Sequence, residues 1–585
     1  MKRPALSLPR ILTTTTIPSF RGSALDAISR QQWQKTGYKP LSPAFGPLNI
    51  QAEVFHRLTE YWKTLSHNGV CFTDPYRPDG LRVYVAGREV ALSPLAEEMA
   101  YALAKKKDTV YIQDPVFRSN FMADFRTQLP EEHRGAKYED VDFGEVFAKA
   151  DREKAQKEGL TKEDKKAIAV ERKTRRDQLK EKYGRAVVDG NAVDMANYMV
   201  EPPGLFMGRG QAPLRGRWKP RTEQADVTLN LGEDATVPPG GWQVVHDHGA
   251  MWMAKWIDKL TGKEKYVWLH ESASLNQDRN KAKYDKAGKI GSNIARIRSK
   301  IEKGTASKDE KVRQVATVCY LIDRLGMRVG DEKDADEADT VGASTLRVEH
   351  IKFDSDVDNT VSFDFLGKDS VEWHKTDQPP KAVLANLREF MAGKKPEERV
   401  FDDISSANVN RFLSSIVPGI TAKVFRTYHA TETVENALRS KDLQAAPDLE
   451  KLQFAREANL KAAEFCNHKR TPPKTWEQVY EKKKAKVEAL RTKKDRTKKE
   501  EERLAKAEAD LEFYVKTKTY NLNTSMKNYI DPRVYKAWGD HVGLEWAKIY
   551  SKSLQKKFAW VNRSKQKWTE PHAEMIAVAA VGTVV

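Results

Sequence analysis

The chain has 585 residues, too many for one hydrophobic core, and 39% of them are apolar, enough to build several. Its 101 Lys and Arg against 83 Asp and Glu leave a net charge of +18, which points to a polyanionic partner: nucleic acid first, an anionic membrane surface second. No run of 18 apolar residues reads as a membrane span, and Cys71, Cys319 and Cys466 have neither the spacing of a zinc site nor the density of a disulfide framework.

Residues 1–58 open with Lys2, Arg3, Arg10 and Arg21 and no acid before Asp26. Pro4, Pro9 and Pro18 would break the amphipathic helix of an organelle transit peptide, so the segment reads as a disordered basic arm. Residues 59–271 read as a mixed unit. Leu81 to Val85 alternate like a strand, and Pro94 to Ala104 like a helix. Charged helical sequence runs from Glu153 to Tyr183, and its stretch from Glu171 to Asp177 lacks any apolar residue, as on a solvated helix. From Ala196 onward Pro, Gly and Trp suggest strands and loops.

Beyond Ser272 the pattern turns helical, opening a unit over 272–474. Val312, Val315, Ala316, Cys319 and Ile322 recur at helical spacing, and the helix is expected to reach Arg328 and stop at Gly330. Val361, Phe363 and Phe365 alternate, Gly367-Lys368-Asp369 turns, and Val371 and Trp373 resume, which is a hairpin with Lys368 at its tip. Helices follow over Thr421 to Leu438 and Leu449 to Cys466, the second stopping before Pro472-Pro473. Between Glu481 and Lys506 there are 12 basic and 6 acidic residues on a thin apolar seam of Val487, Leu490, Leu504 and Leu511, as in a helical-hairpin linker over 475–516. A small C-terminal unit over 517–564 and a tail over 565–585 complete the chain. Within that unit Asp531-Pro532 reads as a helix N-cap and first helical residue, placing Tyr529 at the mouth of a helix.

A tyrosine beside a bound polyanion can attack a phosphodiester and hold the broken strand as a phosphotyrosine. Such chemistry without a metal needs guanidiniums to hold the charge of the phosphorane, and a Lys or His to protonate the departing oxygen. The C-terminal half offers Arg328, Lys368, Arg426 on a polar helix edge near His429, His468 closing a helix, and Tyr529. Taken singly each has a plainer role as a surface ion-pair group, a helix-end cation or a core ring, and Tyr520 is a rival nucleophile on local grounds.

The strings around these residues resemble a known family. They include Val200-Glu-Pro-Pro-Gly-Leu-Phe206, Gly208-Arg-Gly210, Asp339-Thr-Val-Gly342, Leu346-Arg-Val-Glu-His-Ile351, Phe363-Asp-Phe-Leu-Gly-Lys-Asp-Ser370 and Thr421-Ala-Lys-Val-Phe-Arg-Thr-Tyr428. Cys466-Asn-His468, Pro472-Pro-Lys-Thr475, Asn528-Tyr529, Asp531-Pro-Arg533 and Lys557-Phe-Ala-Trp560 follow. Over Tyr61 to Trp560 the chain resembles the eukaryotic-type DNA topoisomerases of class IB, within the tyrosine recombinase/topoisomerase superfamily.

The resemblance implies an α+β multidomain fold: a two-lobed DNA clamp with a mixed α/β N-terminal lobe and a mainly helical catalytic lobe. It implies relaxation of positive and negative supercoils without metal or nucleotide cofactor, through a 3′-phosphotyrosyl intermediate, strand rotation and religation. Double-stranded DNA would be the partner, with no membrane, and the protein would act as a monomer in the nucleus, or in a mitochondrion, another organelle or a viral or host DNA compartment. Arg328 and Arg426 would hold the scissile phosphate, His468 would bond a non-bridging oxygen, Lys368 would protonate the leaving 5′ oxygen, and Tyr529 rather than Tyr520 would be the nucleophile. Arg209, Lys265, Asp369 and Asn528 would lie near DNA. A tyrosine recombinase and a non-catalytic DNA clamp are the competing readings. Departures from the family pattern are Met207 in place of a basic residue, a shorter linker, the absence of a long charged N-terminal tail, and the unmatched segment from Lys565 to Val585. A short linker implies weaker restraint on rotation or looser positioning of Tyr529.

Overall fold

The computed structural model describes residues 60–208, 210–330, 341–355 and 359–568, so the basic arm, Arg209 and the end of the tail lie outside the described residues. The first half mixes short strands with helices. In order these are β1 (Leu65–His67), β2 (Arg82–Val85), β3 (Arg88–Ala91), α1 (Pro94–Ala104), α2 (Pro115–Phe125), β4 (Val141–Asp142), α3 (Gly144–Gly159) and α4 (Lys162–Tyr183). Then come β5 (Arg185–Val188), β6 (Asn191–Asp194), β7 (Gly204–Leu205), β8 (Trp218–Lys219), β9 (Thr228–Asn230), β10 (Gln243–Val245), β11 (Trp252–Ile257) and β12 (Glu264–Trp268).

The sheets are small, in orders β1-β5-β6, β3-β2-β4, β7-β8 and β10-β9-β11-β12, with only the β9–β10 pair parallel. Helices α1 and α2 start where sequence rules place them, because Ser93 and Asp114 accept from the first free amides and a proline follows each. Phe117, Phe121 and Phe125 fall on one face of α2 at helical spacing and are fully buried beside Phe143. The charged stretch differs from expectation: helical structure begins at Gly144 and breaks at Leu160, where Thr161 and Asp164 form a capping box that opens α4. Helix α4 itself has no buried residue.

The second half opens with α5 (Ser274–Gly291), α6 (Ile294–Thr305) and α7 (Glu310–Leu325), followed by a meander of β13 (Ile351–Ser355), β14 (Thr360–Gly367) and β15 (Val371–Asp377). After it come α8 (Lys381–Met391), α9 (Ser406–Ile416), α10 (Ala422–Arg439), α11 (Asp448–Phe465), α12 (Trp476–Arg491), α13 (Lys498–Lys516), α14 (Leu522–Asn528), α15 (Pro532–Val542) and α16 (Lys552–Lys557). One core joins the early helices to the inward faces of β14 and β15, through Val361, Phe363, Phe365 and Trp373. A second gathers α10, α11 and the C-terminal helices around Tyr535, Trp538, Tyr550 and Phe558. Phe425 of α10 belongs to the first core, whereas Cys466 and Tyr529 belong to the second, so the two meet where the candidate residues lie.

Helices α12 and α13 pair through a stack of Trp476 on Tyr480 and Tyr514, with centroids 5.3 and 5.4 Å apart. Farther out only Val487 and Ala507 are buried, and Arg491 pairs with Glu508 at 2.6 Å, so most of this hairpin is held by helix propensity and surface charge.

Candidate active site

Arg328 does not end a helix. Helix α7 stops at Leu325, and its terminator is Gly326, in the left-handed region at φ 66°, rather than Gly330. A Cβ on Gly326 would stand 2.7 Å from the Phe465 ring and 3.2 Å from the Phe465 carbonyl, so the close approach of α11 selects glycine there. The chain then runs extended. Ala343 N donates to Arg328 O at 2.8 Å and Ser344 N to Val329 O at 2.7 Å, which fixes the half-buried Arg328 by its backbone.

His468 lies three residues past the end of α11. Asn467 takes the left-handed position at φ 51°, and the amides of His468 and Asn467 reach back to Ala463 and Glu464 at 2.8 and 3.0 Å in a Schellman arrangement. The same segment pairs with the one leading into α14, since Asn521 N donates to His468 O at 2.8 Å and Arg470 N to Thr519 O at 2.7 Å. Arg426 sits in the second turn of α10 and is buried, not on a polar edge; its Nη2 donates to Cys466 O at 2.5 Å and lies 3.5 Å from His468 Nε2. Its neighbour His429 is engaged elsewhere, 2.7 Å from the Asp323 carboxylate.

Tyr529 follows the short helix α14. Its amide donates to Ser525 O at 2.9 Å, and Ser525 Oγ in turn donates to Asn459 on α11 at 2.7 Å. Thr431 Oγ1 accepts from Asp531 N at 3.0 Å and lies 3.2 Å from Tyr529 O, tying the segment to α10. Asp531 caps α15 with Pro532 in its first turn, as the sequence suggested.

The phenol so held is 7% exposed, and Arg328 Nη1 donates to its oxygen at 3.0 Å. The His468 ring lies 5.1 Å from the Tyr529 ring, and the Arg426 guanidinium 5.2 Å from it. A cleft of about 120 Å3 beside them is lined by Arg328, Lys368, Arg426 and His468, with Lys368 exposed on the turn between β14 and β15.

Burial, reinforced by Arg426 and Arg328, pushes the His468 imidazole down to about 3. Burial and the Arg426 charge also lower Arg328. Buried Nδ1 of His468 and Nε of Arg426 have no hydrogen-bond partner among the described residues. An orphaned buried donor costs about 1–3 kcal/mol. Two guanidiniums gathered around one phenol suit an incoming oxyanion, which would relieve the crowding of positive charge. Among the described residues no three His, Cys, Asp or Glu side chains gather as a metal site requires.

The acid sensitivity of the fold carries a first test. His468 is held at about 3 against an ordinary 6.5, so between those values the unfolded chain takes up the proton first. Its contribution to stability is therefore full above pH 6.5 and is lost as pH falls toward 3. Urea unfolding at pH 7 and pH 4.5 is expected to show a shallower acid loss for His468→Gln than for wild type. His67, lowered to about 4 by burial, supplies part of the slope that remains. Equal slopes for the two proteins would mean that the imidazole is solvated.

Lys265 and Asn528 do not line the cleft. Lys265 projects from β12 toward Glu201 at 3.8 Å. Asn528 ends α14 exposed, and its carbonyl accepts from Lys283 Nζ at 2.8 Å. The Asp369 side chain, like Arg209, lies outside the described residues, but Gly210 packs so closely on the hairpin tip that a Cβ there would collide with Ser370. Tyr520 is raised by burial and by Glu464, an environment that opposes a phenolate.

Sequence reasoning missed Lys283, which burial together with Lys557 and Lys423 lowers to about 7. It also missed Thr431 and Lys375. For Lys375 a signal was available, because it falls in register with Val371 and Trp373 on the inward face of a strand, where a lysine is out of place. Thr431 and Lys283 had none, since each touches Tyr529 or its neighbour only by tertiary contact.

Comparison with known proteins defines the class. The model for the DNA-binding fragment of eukaryotic DNA topoisomerase I matches residues 60–269, that for its catalytic core residues 272–501, and that for the C-terminal topoisomerase domain residues 501–570. DNA topoisomerase 1 beta of Arabidopsis thaliana is 38% identical over 540 residues, covering 85% of this chain and 58% of that protein. DNA topoisomerase 1 of Homo sapiens is 34% identical over 545 residues, covering 85% of this chain and 70% of that protein. The chain belongs to the eukaryotic DNA topoisomerase I family. It spans little more than half the length of the Arabidopsis relatives it matches.

Proposed function

We propose that this protein is a type IB DNA topoisomerase, an isomerase that changes the linking of duplex DNA by cutting and resealing one strand. The observation that carries the reading is the Tyr529 phenol held by Arg328, with Arg426, His468 and the Lys368 hairpin around one cleft. The two halves of the chain form a clamp on the duplex, and contacts are mainly to phosphates, so affinity falls steeply with salt. Arg209, Lys265, Asp369 and Asn528 take part in that grip.

In this scheme Tyr529 Oη loses its proton to water and attacks the scissile phosphorus, forming an O–P bond as the bond to the 5′ oxygen breaks. Lys368 gives the departing oxygen a proton. Arg328 and Arg426 hold the non-bridging oxygens as negative charge builds, and neutral His468 donates a hydrogen bond to one of them. The DNA end is left as a 3′-phosphotyrosine and a free 5′ hydroxyl. One phosphoester replaces another at little energetic cost, so the hydroxyl can attack in return after the duplex has rotated under its own torsion. No nucleotide and no metal enters these steps. The same reading has the protein acting as a monomer on nuclear DNA.

The purified protein is expected to relax both positively and negatively supercoiled plasmid in EDTA without ATP. Detergent quenching should leave it on a 3′ DNA end. Relaxation that requires ATP or a divalent cation, or trapping on a 5′ end, would overturn the proposal. DNA binding without cleavage would leave only a clamp.

A further inference from the structure

Lys375 lies in β15, opposite Phe363 of β14, and faces inward. Its Nζ donates to Leu325 O and to Phe465 O, each at 2.8 Å. Those carbonyls belong to the last residues of α7 and α11, so one ammonium caps two helix C-termini, where backbone carbonyls lack partners and partial negative charge collects. The Phe465 and Trp373 rings lie 4.8 and 5.5 Å from the same nitrogen. Asn467 Nδ2 adds a second tie by donating to Glu372 O in β15 at 2.9 Å. Three chain segments leave this joint, and each carries a residue of the cleft: Arg328 beyond α7, His468 beyond α11, and Lys368 at the turn that precedes β15.

Resting on the topoisomerase reading, we propose that Lys375 is a positioning residue for strand cleavage, an internal staple that sets the mutual placement of Arg328, His468 and Lys368. It lies beneath the cleft, bonded to backbone, and touches no reacting atom. Burial pushes its amine down to about 8, with Arg426 acting in the same direction and the Cys466 thiol opposing it, so the ammonium is present at neutral pH. A positioning role needs that charge and those two donors, whereas a packing role needs only the four-carbon stem.

The test is single-turnover cleavage of an oligonucleotide duplex at pH 7, with equilibrium binding to the intact duplex measured separately. Lys375→Met keeps the stem and loses the donors; cleavage is expected to slow about 10- to 100-fold while binding changes less than about threefold. Lys375→Arg restores a cation with several donors and is expected to recover much of the rate, and Lys375→Gln, with a single amide group, to fall between. In a His468→Ala background the further loss from Lys375→Met is expected to shrink, because one of the three residues it positions is already gone. Wild-type cleavage by the Met variant, equal slowing by the Met and Arg variants, or full additivity with His468→Ala would overturn the staple. If wild type itself leaves no covalent adduct, the topoisomerase reading falls, and the staple with it.

Discussion

Tyr529→Phe is expected to bind duplex DNA as wild type does, to form no covalent adduct, and to lose at least about 10⁴-fold in plasmid relaxation, as removal of a nucleophile does elsewhere. The substitution deletes one oxygen from a ring already seated against His468 and Arg426, so packing is kept. What disappears is the proposed nucleophile and the hydrogen bond from Arg328 at 3.0 Å. Relaxation at comparable rates by the two proteins would remove Tyr529 from its role. Tyr520 would then be the first alternative, although burial and Glu464 stand against its phenolate. A filter-binding titration beside the relaxation assay separates loss of chemistry from loss of DNA.

Arg328→Ala is expected to slow cleavage by about 10²- to 10³-fold, the usual effect of removing one charge-stabilising donor, with a far smaller change in DNA affinity. Arg328→Lys should recover little, since an ammonium cannot reproduce the planar fork that reaches the phenol and a phosphate oxygen together. Arg426→Ala should match it in rate but also lower stability by about 1–3 kcal/mol, because Arg426 is buried and supplies the hydrogen bond to Cys466 O. Arg328 is half-buried, and its segment is fixed by backbone bonds that alanine retains. Rates from quenched time courses and midpoints from thermal melts on the same variants therefore distinguish the two arginines. Equal melting of both, or a loss in affinity as large as the loss in rate, would contradict the geometry.

Much of this was legible from sequence because the signals are local. Alternation of Val361, Phe363 and Phe365, with the turn at Gly367, marks a hairpin wherever it occurs, and β14 and β15 pair as the pattern requires. Asp531-Pro532 specifies a helix start by its own hydrogen bonding. The motif strings around Lys368, Arg426, His468 and Tyr529 identified the family without any contact being known, and the comparisons agree. Reading failed where two residues compete for one role and distant structure chooses. Gly326 and Gly330 both take left-handed backbone, but Phe465 presses on Gly326, and so α7 stops there. Arg426 looked like an edge residue because a helical wheel cannot know that the end of α11 covers that edge.

Composition and periodicity by themselves determined a basic chain of several units that mix strands and helices, whereas Tyr529, Arg328, Arg426, His468 and Lys368 were singled out as a set for phosphodiester chemistry by the resemblance of the motif strings. Tertiary structure alone decided that the phenol meets Arg328, that His468 is stripped of its proton by burial, and that Lys375 joins two helix ends beneath the cleft. The reason is physical. Hydrogen bonding along a helix or a turn is a property of neighbours in sequence, whereas burial and charge at a site are sums over residues that only folding brings together.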